Sequence, residues 1–275
     1  MTILRQLQTC TRDTVESIVE KAGLSCWISS PARGEDIRDV IKLFQPEAPG
    51  KELIRIGGEF DGGYLIPNDL EGITDCFSPG VDVQASFEKN LQQYGIRCHL
   101  ADRSVEGPPA YLTDATFRPK FVTSRASDET ITLKQWIAET GLSSSQNLLL
   151  QMDIEGSEYE VLAAESMETL KQFRIIVLEL HYLERMSNRV FLGILRALLT
   201  KLQTEFMIVH LHPNNCTQPK KVGGTAIPPQ LEVTLLRRDR SLPCSETCAI
   251  PHPLDRKNVP EKPDYQLTEP WVPTK

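Results

Sequence analysis

The sequence predicts an α/β fold in which helices cover both faces of a mostly parallel β-sheet. From residue 52 onward, short apolar stretches typical of strands alternate with amphipathic stretches typical of helices. The stretches at residues 147–152 and 174–180 are apolar almost throughout, as strands buried on both faces are. Because ligands of such sheets bind beyond the carboxyl ends of the strands, the residues at those ends are the first candidates for function.

The local patterns also predict three parts of the chain. An N-terminal helical appendage, with amphipathic helices at residues 14–22 and 34–44, is expected at residues 1–50, the main domain at residues 51–240, and a proline-rich tail without regular structure at residues 241–275. Within the main domain, strands are predicted at residues 52–56, 64–66, 73–77, 97–101, 120–122, 147–152, 174–180, 206–211 and 230–237, and helices at residues 83–94, 132–140, 157–170 and 191–202.

Composition excludes several classes of partner. The formal net charge of the 275 residues is −7, which argues against a nucleic-acid or anionic membrane surface as the main partner. No signal peptide or membrane span is evident in the sequence. The seven cysteines are scattered without a C-x-x-C pair, so we expect reduced thiols and a cytoplasmic protein.

Two predicted strand ends resemble a nucleoside site. Gly80 follows the strand at residues 73–77, where a glycine lets the backbone approach a ligand, although a plain strand-to-helix turn explains it too. Neither G-x-G-x-x-G nor a G-x-x-x-x-G-K-[ST] loop occurs, so a pyrophosphate ligand is disfavoured. Asp102, about twenty residues later, has the spacing of an acid that binds ribose hydroxyls, or it caps a turn.

Acids and histidines collect at the later strand ends. Asp153 ends a buried strand, Glu179 and His181 end the next, and His210 and His212 end the one after. Acids at helix N-termini and structural histidines are the simpler interpretation. However, three of the five histidines fall at two strand ends, which favours acid–base or metal chemistry there.

Four segments together resemble one family. The stretch from Asp153 to Leu162, DIEGSEYEVL, resembles the D-x-E-G-x-E-x-x-x-L signature of FkbM-type S-adenosylmethionine-dependent methyltransferases. The segment LIRIGGEFDGGYLIP at residues 53–67, the E-L-H at residues 179–181 and PLDRKN at residues 253–258 also fit one branch of that family. One departure concerns the first glycine loop, which reads Ser-Pro-Gly-Val-Asp here, whereas a second glycine-like position is usual.

The resemblance implies a Rossmann-like methyltransferase fold, S-adenosylmethionine as methyl donor, and a hydroxyl on a small molecule or sugar as acceptor. It places Asp153, His181 and His212 among the catalytic candidates, and Asp153, Glu179 and His181 as candidate ligands of a divalent cation such as Mg²⁺. It places the donor, with residues 124–127 near its adenine, against Asp61, Tyr64, Ser78, Gly80, Asp82, Asp102, Arg103, Ser124 and Asp153.

Three alternatives remain open at this point. The D-G-G-Y segment at residues 61–64 forms either a plain hairpin turn or a turn folded over the donor cleft. A nucleotide-binding oxidoreductase would use the same fold, although the missing G-x-G-x-x-G argues against it. A non-catalytic binding protein would keep the fold and lose the site.

Overall fold

The computed structural model describes residues 14–21, 30–81, 85–245 and 247–273. Its helices are α1 (residues 14–21), α2 (Gly34–Lys42), α3 (Ser86–Gln93), α4 (Leu133–Glu139), α5 (Glu158–Ala164), α6 (Met167–Leu170) and α7 (Arg189–Gln203), with 3-10 turns at Leu183–Ser187 and Arg238–Arg240. Its strands are β1 (Leu53–Ile56), β2 (Tyr64–Pro67), β3 (Asp75–Pro79), β4 (Arg97–Ala101), β5 (Ala115–Arg118), β6 (Phe121–Val122), β7 (Thr130–Ile131), β8 (Leu148–Met152), β9 (Phe173–Leu180), β10 (Phe206–Pro213), β11 (Lys220–Val222), β12 (Thr225–Ile227) and β13 (Leu231–Arg237).

Seven strands form the central sheet, in the order β10-β13-β9-β8-β3-β4-β5. The five strands from β9 to β5 are parallel, whereas β13 is antiparallel to both of its neighbours. The predicted mostly parallel sheet is therefore confirmed. The chain runs from β3 outward to β4 and β5 on one side and then returns to β8 and β9 on the other. This reversal places a topological switch point between β3 and β8, where doubly wound sheets bind their ligands.

Alternate residues of the central strands pack into two separate hydrophobic cores. In β8, Leu148 and Leu150 belong to a core shared with α2, α4, α5 and α7, whereas Leu149 belongs to a core shared with α3 and the β1–β2 hairpin. All three leucines are fully buried. Period-two alternation explains this division, and burial on both sides explains why these strands are apolar at every position.

Three local predictions differ from the structure. The third parallel strand is β5, while the predicted strand at residues 120–122 is β6, which pairs with β7 outside the central sheet. Every second residue of β5 is exposed, so its sequence lacks an apolar run. The helix predicted at residues 157–170 is two helices, because Glu165 is extended and the Ser166 side chain caps α6 by accepting from the Thr169 N–H. Residues 213–229, for which the sequence predicts no strand, contain the β11–β12 hairpin.

Helix α2 and the proline-rich C-terminal segment both contribute to the core. Ile37 and Ile41 of α2 are fully buried. Trp271, in the proline-rich segment, packs its ring 5.4 Å from that of Phe44 and donates its Nε1–H to the Ala226 carbonyl at 3.0 Å. The division of the chain near residues 50 and 240 stays a prediction. Among the described helices, none combines the length and the apolar character needed to cross a membrane.

Candidate active site

A cleft of about 130 Å³ opens at the switch point between β3 and β8. We call it the switch-point cleft; its walls come from the β1–β2 turn, the end of β3, the start of α3 and the end of β8. Residues lining it include Asp61, Gly62, Tyr64, Gly80, Val81, Ser86, Phe87, Glu88, Gln151 and Asp153. The structure thus brings together four of the nine residues predicted to contact the donor: Asp61, Tyr64, Gly80 and Asp153.

Gly80 is required by contact between two strand ends. Its φ is +87°, and a Cβ atom added there would lie 1.5 Å from the carbonyl oxygen of Asp153. Its N–H donates to the Ala101 carbonyl at 3.1 Å, which fixes it beside the end of β4 as well. Room for the Asp153 backbone, in addition to any approach by a ligand, therefore explains why glycine stands at this turn.

The D-G-G-Y segment is both a hairpin turn and a wall of the cleft. β1 and β2 pair antiparallel on either side of it. Ser86 at the start of α3 holds the turn, since its Oγ accepts from the Gly58 N–H at 2.9 Å and donates to the Gly62 carbonyl at 3.1 Å. Tyr64 is buried, and its hydroxyl lies 3.4 Å from Gln151 Nε2. The two interpretations of this segment are therefore compatible, and its contact with a donor stays a prediction.

Ser78 lies beneath the cleft. Its side chain is fully buried and hydrogen-bonds to Glu88 and to Gln151 Oε1. A hydroxyl carries one proton, so both bonds form when a protonated Glu88 donates to Ser78 and Ser78 donates to Gln151. Burial raises the pKa of Glu88, against the opposing effect of the Ser78 hydrogen bond. The Ser78 hydroxyl, which is predicted to contact the donor, thus makes its hydrogen bonds to side chains of the protein.

Asp102, Arg103 and Ser124, which are also predicted to contact the donor, are not among the residues that line the cleft. The carboxylate of Asp102 accepts from the N–H and the hydroxyl of Ser104, at 2.7 Å and 2.6 Å, which is the turn that the simpler interpretation describes. Arg103 is half-exposed and lies 3.7 Å from Glu129. The Ser124 N–H lies 3.5 Å from a Glu160 oxygen. Asp82 falls outside the described residues. The donor roles of these four residues stay predictions.

Four carboxylates surround the imidazole of His181. Its Nε2 lies 3.7 Å from Asp153 Oδ1, 3.5 Å from Glu155 Oε2 and 3.8 Å from Glu179 Oε1, while its Nδ1 lies 3.1 Å from Glu158 Oε1. We call these five residues the His181 centre. Because parallel strands end at one edge, β8 and β9 deliver Asp153, Glu179 and His181 to the same place, as the sequence predicts.

The turns after β8 and β9 have an uncommon backbone conformation. Glu155 has φ +55° and Tyr182 has φ +59°, values that residues other than glycine adopt rarely. A Cβ on Gly156, whose φ is +103°, would lie 2.5 Å from the ring of Tyr182. Such backbone strain concentrates at functional sites. Here it places the Glu155 carboxylate beside His181.

Burial and mutual repulsion perturb the ionisation of the His181 centre. Burial raises the pKa of Asp153 to about 7, although the charge of His181 opposes this shift. Burial and the nearby charge of Asp153 raise the pKa of Glu179 well above its ordinary range. Burial alone would lower the pKa of His181, but the hydrogen bond and charge of Glu158 raise it overall. The arrangement can accept a proton near neutral pH or hold a cation.

His212 belongs to a neighbouring network. Its Nδ1 lies 3.2 Å from Glu232 of β13, and Glu232 faces Glu179 across the β13–β9 register. Asn258 of the C-terminal segment donates to Glu232 at 2.6 Å and to Asp61 at 3.1 Å. Glu232 therefore lies between His212 and Glu179 of the His181 centre. Its predicted role as a catalytic group stays a prediction, and His210 is paired separately, with Asp255 at 2.9 Å.

Sequence reasoning did not assign several residues of these networks. Glu155 and Glu158 fit the simpler interpretation as acids at a helix N-terminus, and Glu158 does accept the N–H groups of Ile154 and Gly156. Glu232 was missed, although an acid inside the apolar stretch LEVTLL must find buried partners. Asn258 had no signal of its own beyond the family-like PLDRKN segment.

The model of the methyltransferase FkbM domain matches residues 98–206. A chain from the crystal structure of a fibrillarin/Nop5p complex aligns at 9% identity with a TM-score of 0.36, over 61% of this chain and 74% of that chain. A TM-score this low carries no argument about the fold, and the fold described for this chain rests on its own strand order. No curated protein matches the sequence.

The part of the chain matched by the family model includes β8, β9 and all five residues of the His181 centre. The resemblance inferred from the D-x-E-G-x-E and E-L-H segments is therefore confirmed for this part. Residues 98–206 are therefore similar to the methyltransferase FkbM domain.

Proposed function

We propose that the protein transfers a methyl group from S-adenosylmethionine to a hydroxyl group on a small molecule or sugar. The observation that carries this proposal is the position of the His181 centre. It lies within the matched methyltransferase segment, at the sheet edge where the switch-point cleft opens, and Asp153 belongs to both.

The donor is proposed to enter the switch-point cleft with its sulfonium end. Asp61 and Asp153 line that cleft and favour a positively charged group. A volume of about 130 Å³ is below the roughly 300–1,000 Å³ of typical small-molecule sites. The adenosine would therefore extend past Gly80 toward Asp102, which follows the neighbouring strand β4. There the Asp102 carboxylate would accept hydrogen bonds from the ribose hydroxyls, as the spacing predicts.

The proposed reaction is an in-line displacement at the methyl carbon. The acceptor oxygen forms its bond to that carbon while the carbon–sulfur bond breaks, and the sulfonium becomes the neutral thioether S-adenosylhomocysteine. At the His181 centre the acceptor's hydroxyl proton passes either to His181 acting as a base or to water when a bound cation lowers the pKa of the hydroxyl. Alignment of oxygen, carbon and sulfur supplies much of the rate, and removal of the proton supplies the nucleophile.

A small acceptor fits the charge of the chain better than a polymer. The net charge of −7 disfavours nucleic acid and anionic membrane. Cys76, Cys98, Cys216 and Cys248, all within the described residues, are free thiols. Free thiols are typical of a reducing compartment, so we propose a cytoplasmic enzyme acting on a diffusible acceptor.

Calorimetric titration with S-adenosylmethionine tests the proposal, with NAD⁺ titrated in parallel. We expect binding of S-adenosylmethionine only, and a product heavier by one methyl group when hydroxylated small molecules are screened by mass spectrometry. Asp102→Ala should weaken donor binding by about 1–3 kcal/mol, the range for charge-assisted hydrogen bonds. Asp39→Ala, which removes an exposed acid of α2 outside the predicted donor site, is the matched control. Binding of NAD⁺ instead of S-adenosylmethionine would establish the oxidoreductase, and unchanged affinity in a folded Asp102→Ala variant would remove Asp102 from the donor site.

A further inference from the structure

The imidazole of His181 is held in one orientation by a buried carboxylate. Glu158 is fully buried, and its Oε1 accepts the N–H groups of Ile154 at 3.0 Å and Gly156 at 3.1 Å. The same oxygen lies 3.1 Å from His181 Nδ1, and the Glu179 carbonyl lies 3.2 Å from it. Both neighbours are acceptors, so Nδ1 carries the proton and donates it. The lone pair of the neutral ring is then on Nε2.

Nε2 faces acceptors only. His181 is 4% exposed, and the hydrogen bonds found among the described residues leave its Nε2 without a partner. Oxygens of Asp153, Glu155 and Glu179 surround it at 3.5–3.8 Å, beyond ordinary hydrogen-bond length. Asp153 Oδ1 is itself buried without a hydrogen-bond partner. A lone pair and carboxylate oxygens repel each other unless a positive group lies between them.

The spacing fits a metal ion. Metal–ligand bonds of about 2.0–2.2 Å to nitrogen and oxygen place neighbouring ligand atoms about 3.0–3.5 Å apart, slightly closer than the observed separations. Ligand atoms of Asp153, Glu155 and His181 all lie within 4.8 Å of one another. Glu179, which the sequence suggested as a ligand, is outside this set, and Asn214 donates to its Oε1 at 3.0 Å.

We propose that His181 Nε2, Asp153 and Glu155 bind one divalent cation, with Glu158 orienting the imidazole from behind. A histidine that donates its other nitrogen to a carboxylate is the usual arrangement around protein-bound metals. One imidazole and two carboxylates suit Mn²⁺ or Zn²⁺ better than Ca²⁺. The Glu155 side chain is 81% exposed, so one side of the cation stays open for water or an acceptor oxygen.

The role of the cation in catalysis depends on the methyl transfer proposed above, whereas its binding does not. An acceptor hydroxyl bound at the open side would have a lower pKa. It would release its proton to water and attack the donor methyl group as an alkoxide. Glu179, whose Oε1 accepts from Asn214, lies beside His181 Nε2 without being a ligand.

Titration of the chelator-treated full-length chain with Mn²⁺ tests the binding, by calorimetry and by the electron paramagnetic resonance signal of free Mn²⁺. We expect one ion per chain. Glu155→Gln should bind Mn²⁺ at least 10-fold more weakly, and because Glu155 is exposed the variant should keep the wild-type circular dichroism spectrum. Glu168→Gln, the same change at an exposed position of α6, should bind as wild type does.

Glu158→Gln gives a second readout, since loss of an orienting carboxylate weakens metal binding about 10–100-fold. The proposal is overturned if the wild-type chain binds no Mn²⁺, or if Glu155→Gln binds it as tightly as the wild type. A chain that binds S-adenosylmethionine and no Mn²⁺ would keep the proposed function and lose the cation. A chain that binds Mn²⁺ and no S-adenosylmethionine would keep the cation site and lose the proposed function.

Discussion

Substitution of Gly80 by alanine tests how tightly the ends of β3 and β8 are joined. Two costs add at this position. A non-glycine residue at φ +87° costs about 1–2 kcal/mol. The new Cβ would also lie 1.5 Å from the Asp153 carbonyl oxygen. That contact is with backbone, so no side-chain rotation relieves it, and the strand ends must separate at a cost of about 1–3 kcal/mol, the range for overpacking. We expect Gly80→Ala to lower the free energy of unfolding by about 3 kcal/mol.

Two other glycines separate these costs. Gly95 has φ +74° with nothing within 4 Å of an added Cβ. Gly95→Ala should therefore lower the free energy of unfolding only by the conformational cost, about 1 kcal/mol. Gly193 lies inside α7, also with open space, and Gly193→Ala should gain about 1 kcal/mol through helix propensity. Urea unfolding followed by circular dichroism gives all three values. If Gly80→Ala is no less stable than Gly95→Ala, the contact between the strand ends does not constrain this turn.

Two further predictions concern stability away from the cleft. Burial would raise the pKa of Asp69, but hydrogen bonds from Arg240 and Lys51 and the charge of Arg174 hold that pKa below its ordinary range. The ionised Asp69 therefore stabilises the folded protein fully above its unfolded pKa of about 4. This stabilisation is lost as the pH falls through the lower pKa of the folded state. Asp69→Asn should lower the free energy of unfolding by about 3 kcal/mol at pH 7, because it leaves the buried Arg174 without its carboxylate. Urea unfolding of variant and wild type at several pH values should show this difference shrinking below pH 4. A difference that stays constant with pH would contradict the ionic explanation. Trp271→Ala should cost about 3–5 kcal/mol through loss of its packing on the core, and a change below 1 kcal/mol by the same assay would mean that the C-terminal segment adds little to the core.

Local pattern predicted the elements that bury an apolar face. β4 has the predicted bounds, and β8 and β9 start within one residue of the predicted positions. The patterns failed where burial is one-sided or a polar cap intervenes. In β5 every second residue is exposed to solvent, and the Ser166 side chain caps a new helix inside a continuous amphipathic stretch.

Part of the candidate site was also predictable. Asp153 and His181 follow neighbouring parallel strands, and the rule that such strands end at one edge was enough to place them together. The pairing of His212 was not predictable, since it depends on Glu232 in a strand that enters the sheet antiparallel, between β9 and β10.

The sequence by itself determined the α/β class, the apolar strands, the family resemblance and the side chains that stand at the strand ends. These features depend on residues close together in the chain, where hydrophobic period and motif spacing act directly. Only the tertiary structure decided that Glu158 orients His181 and that Asn258 joins Asp61 to Glu232. Both arrangements bring together residues far apart in sequence, through the order and direction of strands in the sheet, and a local pattern carries no information about either.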